Sequence, residues 1–351
     1  MFFLYPLKAI EENWIHECIQ AAFERICSDL DERRLVPDWP DMLPEEHRDL
    51  LRSRKKLPQL LVEFKNEAEN LSTVRRAEFL KGFRQQNQIA ELLNGSLPIP
   101  EFNDELKKLL MIAKNVCDEG YLLLSKLSLR DKQYKIIYES MNKKECPFCK
   151  IAIFDAPSLP SEDDDHYLPR SIYPLAAANF SNLAPMCGKC NQKYKRGKDT
   201  IRPNGIRKKA LNPYGDITVD ITLVNSAFLD GKYGKPAWKI DLIPSVEETE
   251  TWESIFSIRE RFTENILEPY FDDWVSEIPC WFSVVGIDKN VDNARLIAEM
   301  DNLIAYKSKH YEQGCGFLKV KLFELFAHHC KKGNVAVIAM LRNGLLNNHA
   351  F

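Results

Sequence analysis

The chain has 351 residues, a formal net charge of −3 and 45% hydrophobic residues. This length favours two or three compact units. The nearly balanced charge excludes nucleic-acid recognition by the field of the whole molecule, so any such binding must depend on a local basic patch. No run approaches the roughly 18 apolar residues that a membrane-spanning helix needs, so we expect no membrane segment.

Residues 1–141 read as an N-terminal helical region. Apolar residues recur every three or four positions across 11–30, which is typical of a helix with one buried face. Further helices are predicted at 57–70, 74–93, 103–114 and 122–141, with prolines and an Asn-Gly-Ser loop between them.

Residues 142–212 are richer in Gly, Pro, Asn and Cys and form a compact motif region. The C-terminal region, 213–351, begins with alternating apolar and polar residues on both sides of Asp230-Gly231 and Tyr233-Gly234, a pattern that predicts a hairpin. Helices are then predicted at about 251–274, 288–311, 315–332 and 334–346. The expected fold class is α+β, mostly α.

Four of the ten cysteines form two Cys-x-x-Cys pairs, and the other six are scattered through apolar or helical sequence. In a long chain this usage favours a reducing compartment with one metal site over a disulfide framework, and it predicts a cytoplasmic protein.

The two pairs are Cys146-Pro-Phe-Cys149 and Cys187-Gly-Lys-Cys190. Four thiolates complete a tetrahedral shell with no open position, so we predict a structural Zn²⁺ site. Four unrelated thiols or a redox pair are the alternatives, and the presence of two pairs around a third motif disfavours both.

That third motif runs from Asp163 through Asp165-His166 to Pro169, with Asn182-Leu183 and then Asn191 after it. Together with the cysteine pairs, this pattern resembles the zinc-bound HNH endonucleases of the His-Me finger (ββα-metal) superfamily. The resemblance covers residues 146–198 and implies a ββα-metal nuclease core in residues 142–212, flanked by helical regions.

The resemblance also implies roles. His166 would be the general base, for which an imidazole with a pKa near neutrality is suited. Asp165 and Asn191 would hold a catalytic Mg²⁺ or Mn²⁺ ion, whose preferred ligands are oxygen atoms. Asn182 would support the loop that orients His166. The alternative is a solvated, idle Asp-His pair, and the acidic residues just before Asp165 read as solvated.

A basic stretch follows the last cysteine. Lys193, Lys195, Arg196 and Lys198 are predicted to contact the phosphates of a nucleic acid, which would position the strand without reading its sequence. The alternative is a solvated lysine-rich face.

The sequence thus predicts a metal-dependent endonuclease that acts on DNA, with RNA as the alternative substrate. The motif also resembles the HNH subunits of Septu-type anti-phage defence systems, which pair with an ATPase, and this implies a partner protein of that kind. The competing hypothesis is a non-catalytic zinc module that binds nucleic acid or protein.

Overall fold

Over the residues that the structure describes, the fold is mostly helical, with two small antiparallel sheets. The computed structural model describes residues 4–159, 163–228, 235–288 and 290–347, without the side chains of 163–165 and 345–347. The helices are α1 (Trp14–Asp31), α2 (Arg48–Leu51), α3 (Lys56–Glu69), α4 (Thr73–Asn87), α5 (Ile89–Asn94), α6 (Lys107–Lys126), α7 (Leu129–Ser140), α8 (Glu247–Phe256), α9 (Ile258–Phe262), α10 (Glu268–Val284), α11 (Asn293–His310), α12 (Gly316–Lys331) and α13 (Val335–Asn347). The strands are β1 (Asp163–His166), β2 (Leu183–Met186), β3 (Asp220–Thr222) and β4 (Asp241–Ile243).

The predicted helical character of the N-terminal region is confirmed, with different boundaries. The segment 74–93 forms two helices because Gln88 leaves the helical conformation, with ψ 69°. The predicted break between 114 and 122 is absent, since α6 runs through it. Ser128, in the left-handed region at φ 54°, separates α6 from α7 instead.

The chain forms two compact units. The first unit contains Leu4–Asn142 and Phe154–Ile217. Its core joins the buried faces of α1, α3, α4 and α6, and four phenylalanines meet at its centre with ring centroids 4.3 to 6.3 Å apart: Phe23, Phe64, Phe79 and Phe83. Burying each such side chain contributes about 1.5–3 kcal/mol, so this cluster provides a firm base for the loops and strands packed on it.

The second unit contains Lys143–Ile153 and the described residues of Thr218–Phe351. Strands β3 and β4 pair antiparallel, as the predicted hairpin requires, while its turn residues at 230–234 lie outside the described residues. The predicted helix 251–274 is interrupted after α8, where Ser257 is left-handed at φ 49°. Apolar side chains of α12 are buried within this unit.

The two units group the sequence differently from the three predicted segments. Residues 143–153 cluster with the C-terminal region, and 154–217 cluster with the N-terminal helices. Two hydrogen bonds attach 143–153 to the C-terminal region. Lys143 Nζ donates to the carbonyl of Tyr311 at 2.8 Å, and Gly314 N donates to Glu145 Oε1 at 2.9 Å. In the described part of the chain, no helix combines the length and the apolar character that crossing a membrane requires.

Candidate functional site

The first cysteine pair lies on a tight turn in the second unit. The carbonyl of Cys146 accepts hydrogen bonds from the backbone N–H groups of Cys149 at 3.2 Å and Lys150 at 2.8 Å, and Cys146 N donates to Ala152 O at 2.8 Å. Lys150 adopts a left-handed φ of 53° as the chain turns back. A turn of this kind needs only two residues between the ligands, which is the spacing that the sequence shows.

A buried ion pair supports that turn. The Lys150 ammonium lies 3.3 Å from the Glu145 carboxylate, whose side chain is 1% exposed. Because Glu145 also accepts the hydrogen bond from Gly314, it connects the turn to the segment before α12. The charge on Lys150 is therefore compensated inside the protein.

In the second pair, which lies in the first unit, Cys190 is the first residue of a short π-helix, Cys190–Lys195. Cys190 N donates to Cys187 Sγ at 3.4 Å, and Asn191 N donates to Cys187 O at 3.0 Å. A backbone N–H directed at sulfur favours the thiolate form, which is the form that binds metal.

The four cysteine sulfurs lie within 4.8 Å of one another, and all four residues are buried. A zinc ion with Zn–S distances of about 2.3 Å places the sulfurs of a tetrahedron roughly 3.8 Å apart, so the donor set fits this ion. The predicted ligands Cys146, Cys149, Cys187 and Cys190 are thus brought together and can hold zinc. Such a site has no open position and would be structural.

The Asp-His motif lies on β1, which pairs antiparallel with β2 so that His166 is opposite Leu183 and Asp165 is opposite Ala184. The π-helix with Asn191 follows β2 in the chain. Asn191 is half-buried, one turn before Lys195. The side chain of Asp165, predicted to bind the catalytic cation, lies outside the described residues.

His166 is buried, with 8% of its surface exposed, and its Nε2 lies 2.9 Å from the carbonyl oxygen of Ala177. Because a carbonyl can only accept, Nε2 carries the proton and Nδ1 keeps its lone pair. The pKa of His166 is lowered from 6.5 to about 4, mainly by burial; the hydrogen bond to the Ala177 carbonyl opposes this shift, and the cations Arg170, Lys195 and Arg130 contribute to it. The imidazole is therefore neutral at pH 7 rather than poised near neutrality.

Asn182 fixes the loop between β1 and β2 from inside. Its Oδ1 accepts from Leu168 N at 2.7 Å, and its Nδ2 donates to Leu168 O at 3.1 Å and Ala176 O at 3.3 Å. These bonds join the two ends of the loop next to Ala177, the partner of His166. The side chain can thereby hold that carbonyl in place.

The position of Lys195 in the structure differs from the one that the sequence predicted. The sequence grouped it with phosphate-contacting side chains, whereas the structure buries it completely, with Nζ donating to the carbonyl of His166 at 2.7 Å. Lys195 is the last residue of the π-helix and faces inward, while Lys193, Arg196 and Lys198 are exposed. Lys195 thus connects the π-helix to the end of β1.

Two further residues beside His166 come from the helical region, where no sequence motif indicated a chemical role. The ring centroid of Tyr121, on α6, lies 4.5 Å from that of His166. The guanidinium groups of Arg130, on α7, and of Arg170 lie 4.9 and 5.6 Å from the Tyr121 centroid. Arg170 directly follows Pro169 of the motif, and its place after that motif was the available signal.

The site thus combines a neutral imidazole with an unprotonated nitrogen, two neighbouring arginines and a cysteine set that can hold zinc. An unprotonated imidazole nitrogen can accept a proton, and a guanidinium group can bind an anion. No protein-family model, no curated protein and no solved structure matches this chain.

Proposed function

We propose that this chain is a metal-dependent endonuclease that hydrolyses phosphodiester bonds, with DNA as its main substrate and RNA as the alternative. The observation that supports this most is the state of His166. Its Nε2–H is engaged by the Ala177 carbonyl, so Nδ1 is the nitrogen that can take a proton.

In this mechanism His166 Nδ1 accepts a proton from the water molecule that attacks phosphorus, the bond from phosphorus to the 3′ oxygen breaks, and that oxygen leaves and takes a proton from solvent. The Ala177 carbonyl sets the orientation of the ring, Asn182 holds the loop that carries that carbonyl, and Lys195 holds the backbone of His166. A divalent cation, when bound by Asp165 and Asn191, would supply stabilisation of the negative charge that develops on the phosphate.

The Asn191 side chain suits such an ion, because a half-buried amide oxygen is a ligand that Mg²⁺ or Mn²⁺ accepts. The cysteine set would hold the structural zinc and take no part in the reaction. An ATPase partner and a role in anti-phage defence belong to the same proposal, and they are supported by the sequence resemblance. Nuclease activity that depends on such a partner would appear only when the two proteins are assayed together.

A non-catalytic zinc module is the second candidate. The low exposure of His166 and the Tyr121 ring beside it favour this alternative, because a general base must reach its water molecule. In that case nucleic acid or protein would bind without being cut.

The test is cleavage of supercoiled plasmid, linear duplex, single-stranded DNA and RNA with Mg²⁺ or Mn²⁺. We expect His166→Ala to lower the rate by roughly 10²- to 10⁴-fold, the usual contribution of general-base catalysis. His310→Ala removes an exposed histidine and should leave the rate unchanged. Equal rates for wild type and His166→Ala would refute the proposed role, and absence of cleavage of every substrate would favour the zinc module.

A further inference from the structure

The helical region contributes side chains to the surroundings of the candidate base. The central residue is Tyr121, whose ring lies near the ring of His166 and near two guanidinium groups. Arg130 comes from α7 and Arg170 from the loop after β1, so separate parts of the first unit bring two positive charges to one tyrosine.

Arg170 is accessible to a ligand, and Arg130 is half-buried, with its guanidinium donating to Ser125 Oγ at 3.0 Å. The Arg170 side chain is 45% exposed, and its guanidinium is 3.6 Å from the carboxylate of Asp118. That carboxylate also binds the ammonium of Lys114 at the shorter distance of 2.7 Å. Asp118 is therefore shared between Lys114 and Arg170, and its ion pair with Arg170 is the longer one.

Arginine is the side chain best suited to bind phosphate, because its planar guanidinium donates two parallel hydrogen bonds to a pair of anionic oxygens. A contact with an aromatic ring keeps that plane oriented and reduces the freedom lost on binding. Arg130 and Arg170 bring two such groups to one tyrosine ring. A ligand with successive negative charges matches this arrangement better than a single ion does.

We propose that Arg130 and Arg170, supported by Tyr121, bind the phosphodiester backbone of the substrate strand beside His166. This inference rests on the proposed nuclease function and deepens it, since it makes α6 and α7 part of the substrate site. Backbone contacts carry no base information, so binding through this pair is insensitive to sequence. DNA and RNA share the phosphodiester group, and the experiment distinguishes them.

The experiment measures binding of fluorescent duplex DNA, single-stranded DNA and RNA of one sequence by anisotropy, over a range of salt concentrations. No divalent cation is added, so that nothing is cut. Arg130→Gln and Arg170→Gln should each weaken binding by roughly fivefold to tenfold at about 0.1 M salt and lower the salt slope by roughly one unit. The nucleic acid that shows this loss is the one bound by the pair.

An exposed ion pair elsewhere in the first unit offers matched controls. Arg52 and Asp49 lie 3.4 Å apart, with side chains 68% and 92% exposed. Arg52→Gln makes the same chemical change as the test variants and should leave binding unchanged. Asp118→Asn should tighten binding because it releases Arg170, whereas Asp49→Asn should not.

The opposite directions expected for Arg170→Gln and Asp118→Asn separate a binding role from a structural one. Arg170→Lys should retain part of the affinity. Affinities and salt slopes of the arginine variants equal to those of Arg52→Gln would overturn the inference. Cleavage assayed in parallel distinguishes its failure from that of the nuclease. If binding depends on the arginines but no substrate is cut, only the inference is supported. If substrate is cut and KM is unchanged in both arginine variants, only the nuclease function is supported.

Discussion

The cysteine set and the histidine site lie close together in sequence but are built in different ways. Each cysteine pair is made within four residues, because a turn with two residues between the ligands directs both sulfurs to one side. The surroundings of His166 instead come from α6, α7, the loop after β1 and the π-helix. Ligand sets of local origin can be read from spacing, whereas the environment of a buried base depends on tertiary packing.

The largest expected effect on stability is at the cysteine set. Cys187→Ser removes one of four ligands, and structural zinc contributes roughly 10–16 kcal/mol in small zinc domains, which is comparable to the whole stability of a protein. We expect loss of bound zinc, measured by elemental analysis, and a much lower melting temperature. Cys280→Ser, at an exposed position, is the control. A Cys187→Ser protein with wild-type zinc content and melting temperature would contradict the zinc assignment.

The support of the first cysteine turn gives the next effect. Glu145→Gln keeps a group that can accept the hydrogen bond of Gly314 N but leaves the Lys150 ammonium uncompensated inside the protein. The expected loss is about 3–5 kcal/mol in the free energy of unfolding, measured with urea. Glu312→Gln, at an exposed position of the same unit, should change it little. Equal losses for the two variants would show that the ion pair does not support the turn.

The effect of acid on the free energy of unfolding tests a buried histidine separately from the cysteines. His16 is buried beside Phe83, and burial lowers its pKa from 6.5 to about 4. Between these values the unfolded chain binds a proton that the folded chain does not, so stability falls as the pH falls from about 6.5 to 4. The loss is up to about 3 kcal/mol.

His16→Leu removes that group, so the difference in unfolding free energy between variant and wild type should shift in favour of the variant over this pH range. Protonation of the cysteines affects both proteins equally and cancels in the difference. Parallel pH profiles of the two proteins would contradict a depressed pKa at His16.

The smallest effects compare two lysines of the motif. Lys195→Met should lower the unfolding free energy by about 1–3 kcal/mol, because the His166 carbonyl loses a charged donor inside the protein. Lys193→Met should leave stability within about 0.5 kcal/mol and, if Lys193 contacts phosphate, lower the salt slope of binding by roughly one unit. The reverse pattern, with stability lost at Lys193 and salt dependence at Lys195, would contradict the burial that separates them.

Much of the fold could be predicted from the sequence. The apolar spacing of α1 and the alternation around β3 and β4 gave the type of element correctly, because these patterns follow from which face is buried. Helix ends were predicted less well: nothing in the residues around Gln88 or Ser128 required a break there, since both breaks depend on the local backbone conformation.

In the site, spacing predicted the four cysteines that the structure brings together. The roles of His166 and Asn182, which the motif suggested, stay predictions. The burial of Lys195 was missed because a basic run on a short helix shows charge without showing which face is inside. Tyr121 and Arg130 were missed because they are 45 and 36 positions before His166, on helices with ordinary amphipathic sequence. Only packing brings such residues to the base.

We propose that two metal ions serve different purposes in this chain: zinc stabilises the fold, and Mg²⁺ or Mn²⁺ serves the reaction. The most direct measurement determines zinc content and plasmid nicking on the same samples after dialysis against a chelator. We expect about one zinc per chain to remain, nicking to disappear, and Mg²⁺ or Mn²⁺ to restore it in wild type but not in His166→Ala, which keeps its zinc. Nicking that follows zinc content, or that is restored equally in His166→Ala, would contradict the account.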